Sequence, residues 1–261
     1  MELSIIIPAY NEHKKIRQDI VGAAAFLEHQ HISGEIIIVD DGSTDYTAES
    51  AILTQINPDI KKEIIHYTPN RGKGYAVRSG MAASHGEYIM FIDSGSTIPW
   101  DHVHRGLDLL RRNRCDIANA SRRLPESRIV RPHLKSRQVT SLLFRRVARL
   151  LLSIPDRITD SQCGLKMYKG KVGRSLYAHC ITDGFLFDIE ILLKALKSGH
   201  RILEFPIDWY ADVDSRLSPS RTLLNTLLEM WEIHKELQNY VPAARESQNS
   251  NMVLPGEHEK L

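Results

Sequence analysis

Short continuous runs of branched apolar residues alternate with longer stretches whose apolar residues recur three and four apart. The first run, residues 3–7 (Leu-Ser-Ile-Ile-Ile), is followed over 14–29 by Ile16, Ile20, Ala23, Ala24 and Leu27 on one helical face. Runs at 35–39, 63–67, 87–92 and 116–120 repeat the theme, separated by helical patterns at 47–56, 75–84 and 103–112. Runs that lack polar alternation read as strands buried on both faces, the signature of a parallel sheet. The first half is therefore predicted to be α/β, a doubly wound, mostly parallel sheet with helices on both faces. Right-handed crossovers would bring the strands' carboxyl ends to one edge.

From residue 121 the pattern changes. Residues 121–135 are polar, arginine-rich and carry Pro125 and Pro132, which predicts a mobile loop. A basic amphipathic helix is expected over 137–152, then a turn over 158–166, a helix opening near 182 and ending near Lys197, and a strand over 201–209. Asp188 and Glu190 lie two apart, so one is expected to point inward and the other to support the fold. Ser218-Pro219 has the form of a cap and first-turn proline for a last helix ending near Leu237. Its Leu224, Leu227, Leu228, Met230 and Trp231 read as core or as membrane contact. The tail from Pro242 is polar and expected to be disordered.

Composition narrows the class. The 42% apolar content can fill a real core, and no apolar run approaches the ~18 residues of a membrane span. The sequence starts directly on a strand, with no basic segment or cleavage site, so no signal peptide is expected. Cys115, Cys163 and Cys180 are spaced for neither disulfides nor zinc, which fits a reducing, cytoplasmic compartment. The net charge of +2 is uninformative, but residues 122–149 hold nine basic side chains and one acid, Glu126. This helix is either a core helix with a solvated face or a surface for anionic lipid. The stretch lacks interleaved aromatics, so no nucleic-acid partner is expected.

Candidate chemistry gathers where the strands end. Tyr10-Asn11-Glu12, Asp40-Asp41 and Asp93 close three of these strands, and ligands of open α/β sheets bind at that edge. Gly42-Ser-Thr-Asp45 needs no more than an Asx turn and a helix cap, but two adjacent carboxylates at a strand mouth need partners. The loop Gly72-Lys-Gly74 is no dinucleotide fingerprint, because Val77 stands at the third glycine position, and no Lys-Ser or Lys-Thr makes it a P-loop. Arg71, Lys73 and Arg78 beside a helix start could take an anion. Residue by residue, a plain helix-entry turn with solvated cations is the simpler expectation.

Taken together, Ile6-Ile-Pro8-Ala-Tyr10-Asn11-Glu12, Val39-Asp-Asp41-Gly-Ser-Thr-Asp45, Asn70-Arg-Gly72-Lys-Gly74-Tyr-Ala-Val-Arg78-Ser-Gly80 and Phe91-Ile-Asp93 resemble a family 2 glycosyltransferase of the GT-A fold. Asp160-Ser-Gln-Cys-Gly-Leu-Lys166, Gly184-Phe-Leu-Phe-Asp188-Ile-Glu190, Glu204-Phe-Pro-Ile-Asp-Trp209 and Ser215-Arg216-Leu217 resemble the dolichyl- and polyprenyl-phosphate glucosyltransferases, with mannosyltransferases close behind. The resemblance spans residues 3–237. It implies one GT-A domain over 1–240, with a nucleotide-sugar half over 1–121 and an acceptor half over 122–240.

It also implies roles. Pro8, Tyr10, Glu12, Val39 and Asp41 would bind the nucleotide, and the loop from Asn70 to Lys73 would close on base and ribose. Asp93 matches the first aspartate of Asp-X-Asp, which holds Mg²⁺ or Mn²⁺ on the donor diphosphate. Arg122 would meet phosphate, and Arg122, Arg137, Gln162 and Arg216 would face the acceptor. Asp93, Asp160 and Arg216 would form the catalytic set, Asp160 as base or as acceptor-orienting carboxylate. The implied reaction moves a hexose, glucose from UDP-glucose, to a polyprenyl or dolichyl phosphate with inversion, peripherally on the cytoplasmic membrane face. A soluble acceptor, or a nucleotide-sugar-binding homologue with weakened catalysis, is the alternative. One departure matters: Ser94-Gly95-Ser96 follows Asp93, so Gly95 stands where the second aspartate belongs. The metal would then be weakly held and completed by the diphosphate, or Arg71, Lys73, Arg122 and Arg216 would neutralise charge instead.

Overall fold

The structure, a computed structural model, describes residues 1–95, 97–131, 135–210 and 223–242. Strand β1 (Leu3–Ala9) is followed by helix α1 (Ile16–His29), β2 (Gly34–Asp41) by α2 (Thr47–Leu53), and β3 (Lys61–Tyr67) by α3 (Lys73–Ala83). Then come β4 (Tyr88–Ile92), α4 (Asp101–Arg111), β5 (Ile117–Ser121), β6 (Arg128–Arg131) and α5 (Lys135–Leu152). The chain continues through β7 (Leu165–Lys169), α6 (Gly170–Ala178), α7 (Phe187–Lys197), β8 (Ile202–Pro206), β9 (Asp208–Tyr210) and α8 (Leu223–Asn239).

Seven strands form one sheet in the order β3-β2-β1-β4-β7-β5-β8. The expected apolar runs are its centre, buried on both sides. On β1, Leu3, Ile5 and Ile7 enter the core under α1 and α4, while Ile6 enters the opposite core under α3, α6 and α7. Ile36 and Ile38 of β2 divide from Ile37 and Val39 in the same way. Helices thus cover both faces, as expected for the doubly wound class. The order reverses beside β1, which opens a crevice at the carboxyl ends of β1 and β4.

Four expectations need correcting. First, β7 runs antiparallel between β4 and β5, pairing Ile92 with Leu165 and Ile117 with Tyr168. Its start therefore lies at the edge where its neighbours end, and the turn before it, 158–164, reaches the crevice. That turn had been expected to run to Lys166, and α6 had not been anticipated. Second, the loop over 121–135 contains β6, which pairs with β9 in a separate two-stranded sheet. Third, the strand over 201–209 is two strands, parted at Ile207 between the two sheets. Fourth, Asp188 and Glu190 are both buried, since α7 is enclosed from Phe187 through Ala195 and offers no outer face there. Each carboxylate holds a buried lysine: Lys166 Nζ is 2.8 Å from Asp188, and Lys194 Nζ 2.8 Å from Glu190. Ser218-Pro219 and the tail beyond 242 lie outside the described residues.

Candidate active site

The first three strand ends are tied together by their loops. Asn11, at φ 55°, accepts from Thr44 N at 2.7 Å, and its own N–H donates to Ser43 Oγ at 2.8 Å. Glu12 N–H donates to Thr47 Oγ1 at 2.7 Å, and its carboxylate lies 3.5 Å from Lys15. Pro8 and Val39 are buried beneath this loop pair, and Tyr10 is exposed at its rim.

Asp41 finds its partners in the loop after β3. It accepts hydrogen bonds from Tyr67 Oη (3.0 Å), Asn70 Nδ2 (2.7 Å), Arg71 N (2.8 Å) and Gly72 N (2.9 Å). One buried carboxylate thus fixes the course of residues 67–72. Asp40 turns the other way, to His66 Nδ1 at 2.8 Å and Ser43 N at 3.1 Å. Gly72 sits at φ +109°, and a Cβ there would collide with the Asp183 carbonyl, so only glycine fits this entry to α3. Two of the three cations here, Lys73 and Arg78, are paired and mostly withdrawn from solvent, contrary to the simpler expectation, while Arg71 stays exposed. The Arg71 guanidinium stacks 3.6 Å above the Tyr75 ring, and Arg78 donates to the Cys180 carbonyl and to Asp183. Lys73 turns inward and is 19% exposed.

Lys73 belongs to a row of alternating charges across the crevice. Its Nζ is 2.6 Å from Asp93 Oδ1 at the end of β4. Burial alone would lower the lysine's pKa, but Asp93 and then Asp188 hold it above the ordinary value. Beneath it, the fully buried Lys166 joins Asp188 to the Cys163 carbonyl. The Lys73 and Lys166 ammoniums lie 5.8 and 5.6 Å from the Phe91 ring centre. Burial pushes the Asp188 carboxyl up, against the pull of Lys166 and Lys73. Across the row, Arg122 grips Asp160 through Nε–Oδ2 at 2.6 Å and Nη2–Oδ1 at 2.8 Å, with its backbone N–H at 3.1 Å from Oδ2. Burial would raise the Asp160 pKa, but Arg122 takes it down to about 2. Asp160 is therefore ionised at neutral pH, with both oxygens committed to Arg122.

Residues not singled out in advance hold this arrangement. Glu204 accepts from Thr159 N (3.0 Å), Thr159 Oγ1 (2.5 Å), Asp160 N (3.1 Å) and Asn119 Nδ2 (3.0 Å), which sets the turn that presents Asp160. Its place between apolar neighbours on a strand was the visible signal. Gly164 was not: its carbonyl accepts the Asp93 N–H at 2.8 Å, and a Cβ there would collide with the Asp93 carboxylate. Arg122 also bonds the Gln162 carbonyl and lies over Trp209, and the Gln162 side chain reaches the Phe185 carbonyl at 3.4 Å. Arg145 of α5 sits close enough to this group to be perturbed: burial, then Arg123, lowers its pKa, with Asp160 pulling the other way and Arg122 adding to the lowering. Three arginines thus crowd near one acid. Arg137 is on α5, but its side chain lies outside the described residues, as does Arg216.

A divalent ion fits here only with help. No cluster of three or more His, Cys, Asp or Glu suited to a metal exists among the described residues. The second motif position is Gly95, at φ +96°, whose N–H donates to the buried Asp19 at 2.9 Å, a backbone that suits glycine rather than aspartate. Among the described residues Asp93, at the end of β4, could offer one carboxylate to Mg²⁺ or Mn²⁺, and the remaining oxygens would have to come from the substrate and water.

A model of glycosyl transferase family 2 matches residues 4–172. The dolichyl-phosphate β-glucosyltransferase of Saccharomyces cerevisiae is 30% identical over 230 residues, 83% of this chain and 69% of that protein. Its counterpart in Dictyostelium discoideum is 31% identical over 229 residues, covering 83% and 69%, and the human one 29% over 229 residues, covering 84% and 70%. Among solved structures, glucosyl-3-phosphoglycerate synthase of Mycobacterium tuberculosis, crystallised with Mn²⁺, UDP-glucose and phosphoglyceric acid, superposes with a TM-score of 0.64 at 18% identity, over 91% of this chain and 78% of its own. TarS of S. aureus, crystallised with UDP-GlcNAc, gives 0.62 at 18% identity, over 91% and 66%.

Proposed function

Because the chain belongs to glycosyl transferase family 2 and is a glycosyltransferase, we propose that it moves glucose from UDP-glucose to a polyprenyl or dolichyl phosphate. The observation that carries this reading is the row Lys73–Asp93 and Arg122–Asp160 at the sheet edge, in a chain 30% identical to enzymes named for dolichyl-phosphate glucosyl transfer. In this reading Pro8, Tyr10, Glu12, Val39 and the Asp41-anchored loop through Asn70 form the nucleoside side. Lys73 and Asp93 face the diphosphate. Arg122, with Arg123 and Arg145 nearby, Gln162 and, from the sequence, Arg137 and Arg216 receive the acceptor phosphate.

The chemistry asks little of a base. An acceptor phosphate is already an anion at neutral pH, so one of its oxygens can attack the anomeric carbon directly. That C–O bond forms as the bond to the diphosphate breaks, the diphosphate leaving with the electron pair and the configuration inverting. Asp160, tied to Arg122, orients the arginine and takes no proton. Lys73 and Arg122 offset negative charge as it develops on the leaving group and gathers between two phosphates. Mg²⁺ or Mn²⁺, held by Asp93 together with the donor, would add charge neutralisation on the diphosphate. No helix among the described residues is long and apolar enough to cross a membrane. The acceptor's lipid chain would then be met at the surface by the basic α5, where Arg146 and Leu150 are exposed.

The test is a panel of UDP- and GDP-sugars against a polyprenyl phosphate, a free prenol and 3-phosphoglycerate. Transfer from UDP-glucose to the prenyl phosphate alone is the expected result. Transfer to a soluble acceptor in preference would replace the lipid reading.

A further inference from the structure

Lys73 does more than line the site: from its placement we infer that it is a built-in counter-ion for Asp93, which keeps a divalent cation out until the donor diphosphate arrives. The inference rests on the reading that Asp93 holds the donor's metal.

Three observations converge. Asp93 is set against β7's approach, its backbone N–H on the Gly164 carbonyl and one side of its carboxylate packed against the Gly164 backbone, which leaves the other side to meet a cation. The cation it meets is the Lys73 ammonium, 2.6 Å from Oδ1. A second carboxylate, which would let a divalent ion outcompete a single ammonium, is missing because Gly95 occupies that place on a positive-φ backbone. One carboxylate and one ammonium make a neutral pair, and a bare divalent ion gains little by replacing it while shedding its own waters.

The diphosphate changes the balance. It brings its own oxygens to complete the ion's shell, and it offers the displaced ammonium new anionic partners. Lys73 also has a second acid within its field, Asp188, held by Lys166 just below, and the rings of Phe91 and Phe187, each 5.8 Å from Nζ. A four-carbon side chain anchored at the first residue of α3 can exchange among these partners without movement of the helix. Metal entry and donor entry become coupled, each improving the affinity of the other. The same lysine that bars the free ion then faces the diphosphate.

The experiment measures Mn²⁺ binding by electron paramagnetic resonance, without catalysis, on the full chain and on Lys73→Met and Lys73→Gln, with and without UDP. Melting temperatures check folding, and the two neutral substitutions guard against one failing to fold. The wild-type chain should bind Mn²⁺ weakly alone and at least about tenfold more tightly with UDP. Either lysine variant should bind Mn²⁺ alone at least about tenfold more tightly than wild type, and adding Asp93→Asn should remove that gain. Unchanged Mn²⁺ affinity in both folded lysine variants overturns the inference while leaving the metal at Asp93 intact. Wild type that takes up no Mn²⁺ with UDP, or takes it up equally when Asp93 is Asn, overturns the metal reading and the inference with it.

Discussion

Replacing Asp160 with Asn tests whether this carboxylate orients an arginine or removes a proton. In the structure its two oxygens accept three hydrogen bonds from Arg122, at 2.6, 2.8 and 3.1 Å, in a site 2% exposed. Asn keeps the shape but cancels the charge, so the guanidinium stays buried without its counter-ion. Removing one partner of a buried pair costs about 3–5 kcal/mol, and the deficit should appear in urea unfolding at pH 7. Its pH dependence is fixed by the sign of the shift. The folded carboxyl titrates at about 2 against an ordinary 3.8, so the wild type's extra stability is complete above pH 4 and fades as pH falls towards 2. That difference corresponds to on the order of 2 kcal/mol, by which the gap between wild type and variant should close on acidification. Turnover should drop, yet the pH–rate profile between pH 6 and 8 should keep its shape, because a group this acidic does not titrate there. A variant that loses an acidic limb in that range, or matches wild-type stability at pH 7, refutes the orienting role.

Three further outcomes follow from the geometry. Asp41→Ala removes the acceptor for four donors of the 67–72 loop and should weaken UDP binding by roughly 1.5–3 kcal/mol, read by calorimetry on the folded variant; unchanged affinity would sink Asp41 as the organiser of the nucleoside side. Gly164→Ala places a methyl against the Asp93 carboxylate and should abolish most transfer while the melting temperature moves by only a few degrees, as measured by calorimetric scanning; near-normal activity would show that the position of Asp93 does not matter. Co-sedimentation with anionic vesicles should decline as salt rises, because exposed arginine charge is screened over roughly 10 Å at 0.1 M; equal binding to neutral vesicles would remove the basic α5 from acceptor delivery.

The sequence made the centre of the fold legible because Ile5–Ile7 of β1, Ile36–Val39 of β2 and Tyr88–Ile92 of β4 run apolar without interruption, as strands buried on both faces do. It also placed Asp41, Asp93 and the glycine loop at one edge, since strand ends can be read locally. What it hid is non-local. β7 contains Lys166 in the middle of a short strand, and a lysine there argues for exposure unless Asp188, 22 residues on, is known to receive it. The antiparallel insertion of β7, which turns the 158–164 loop towards the crevice, followed from no local pattern. Asp188 and Glu190 misled for the same reason: their spacing of two separates helix faces, but α7 is enclosed on both. Glu204 stood out between apolar neighbours, but its partners Asn119, Thr159 and Asp160 lie 44–85 residues away, and Gly164 acts through a backbone carbonyl on Asp93; no spacing announces such contacts. Lys73 was expected to be solvated because its partner, Asp93, lies 20 residues away across two elements.

The most direct test is a crystal structure of the full chain with UDP and Mn²⁺. The diphosphate should lie across the carboxyl end of β4, with Lys73 moved from Asp93 onto its oxygens, Mn²⁺ between Asp93 and the diphosphate, and the uridine against Asp41's loop. A diphosphate bound away from Asp93, Lys73 and Arg122 would contradict the account at its centre.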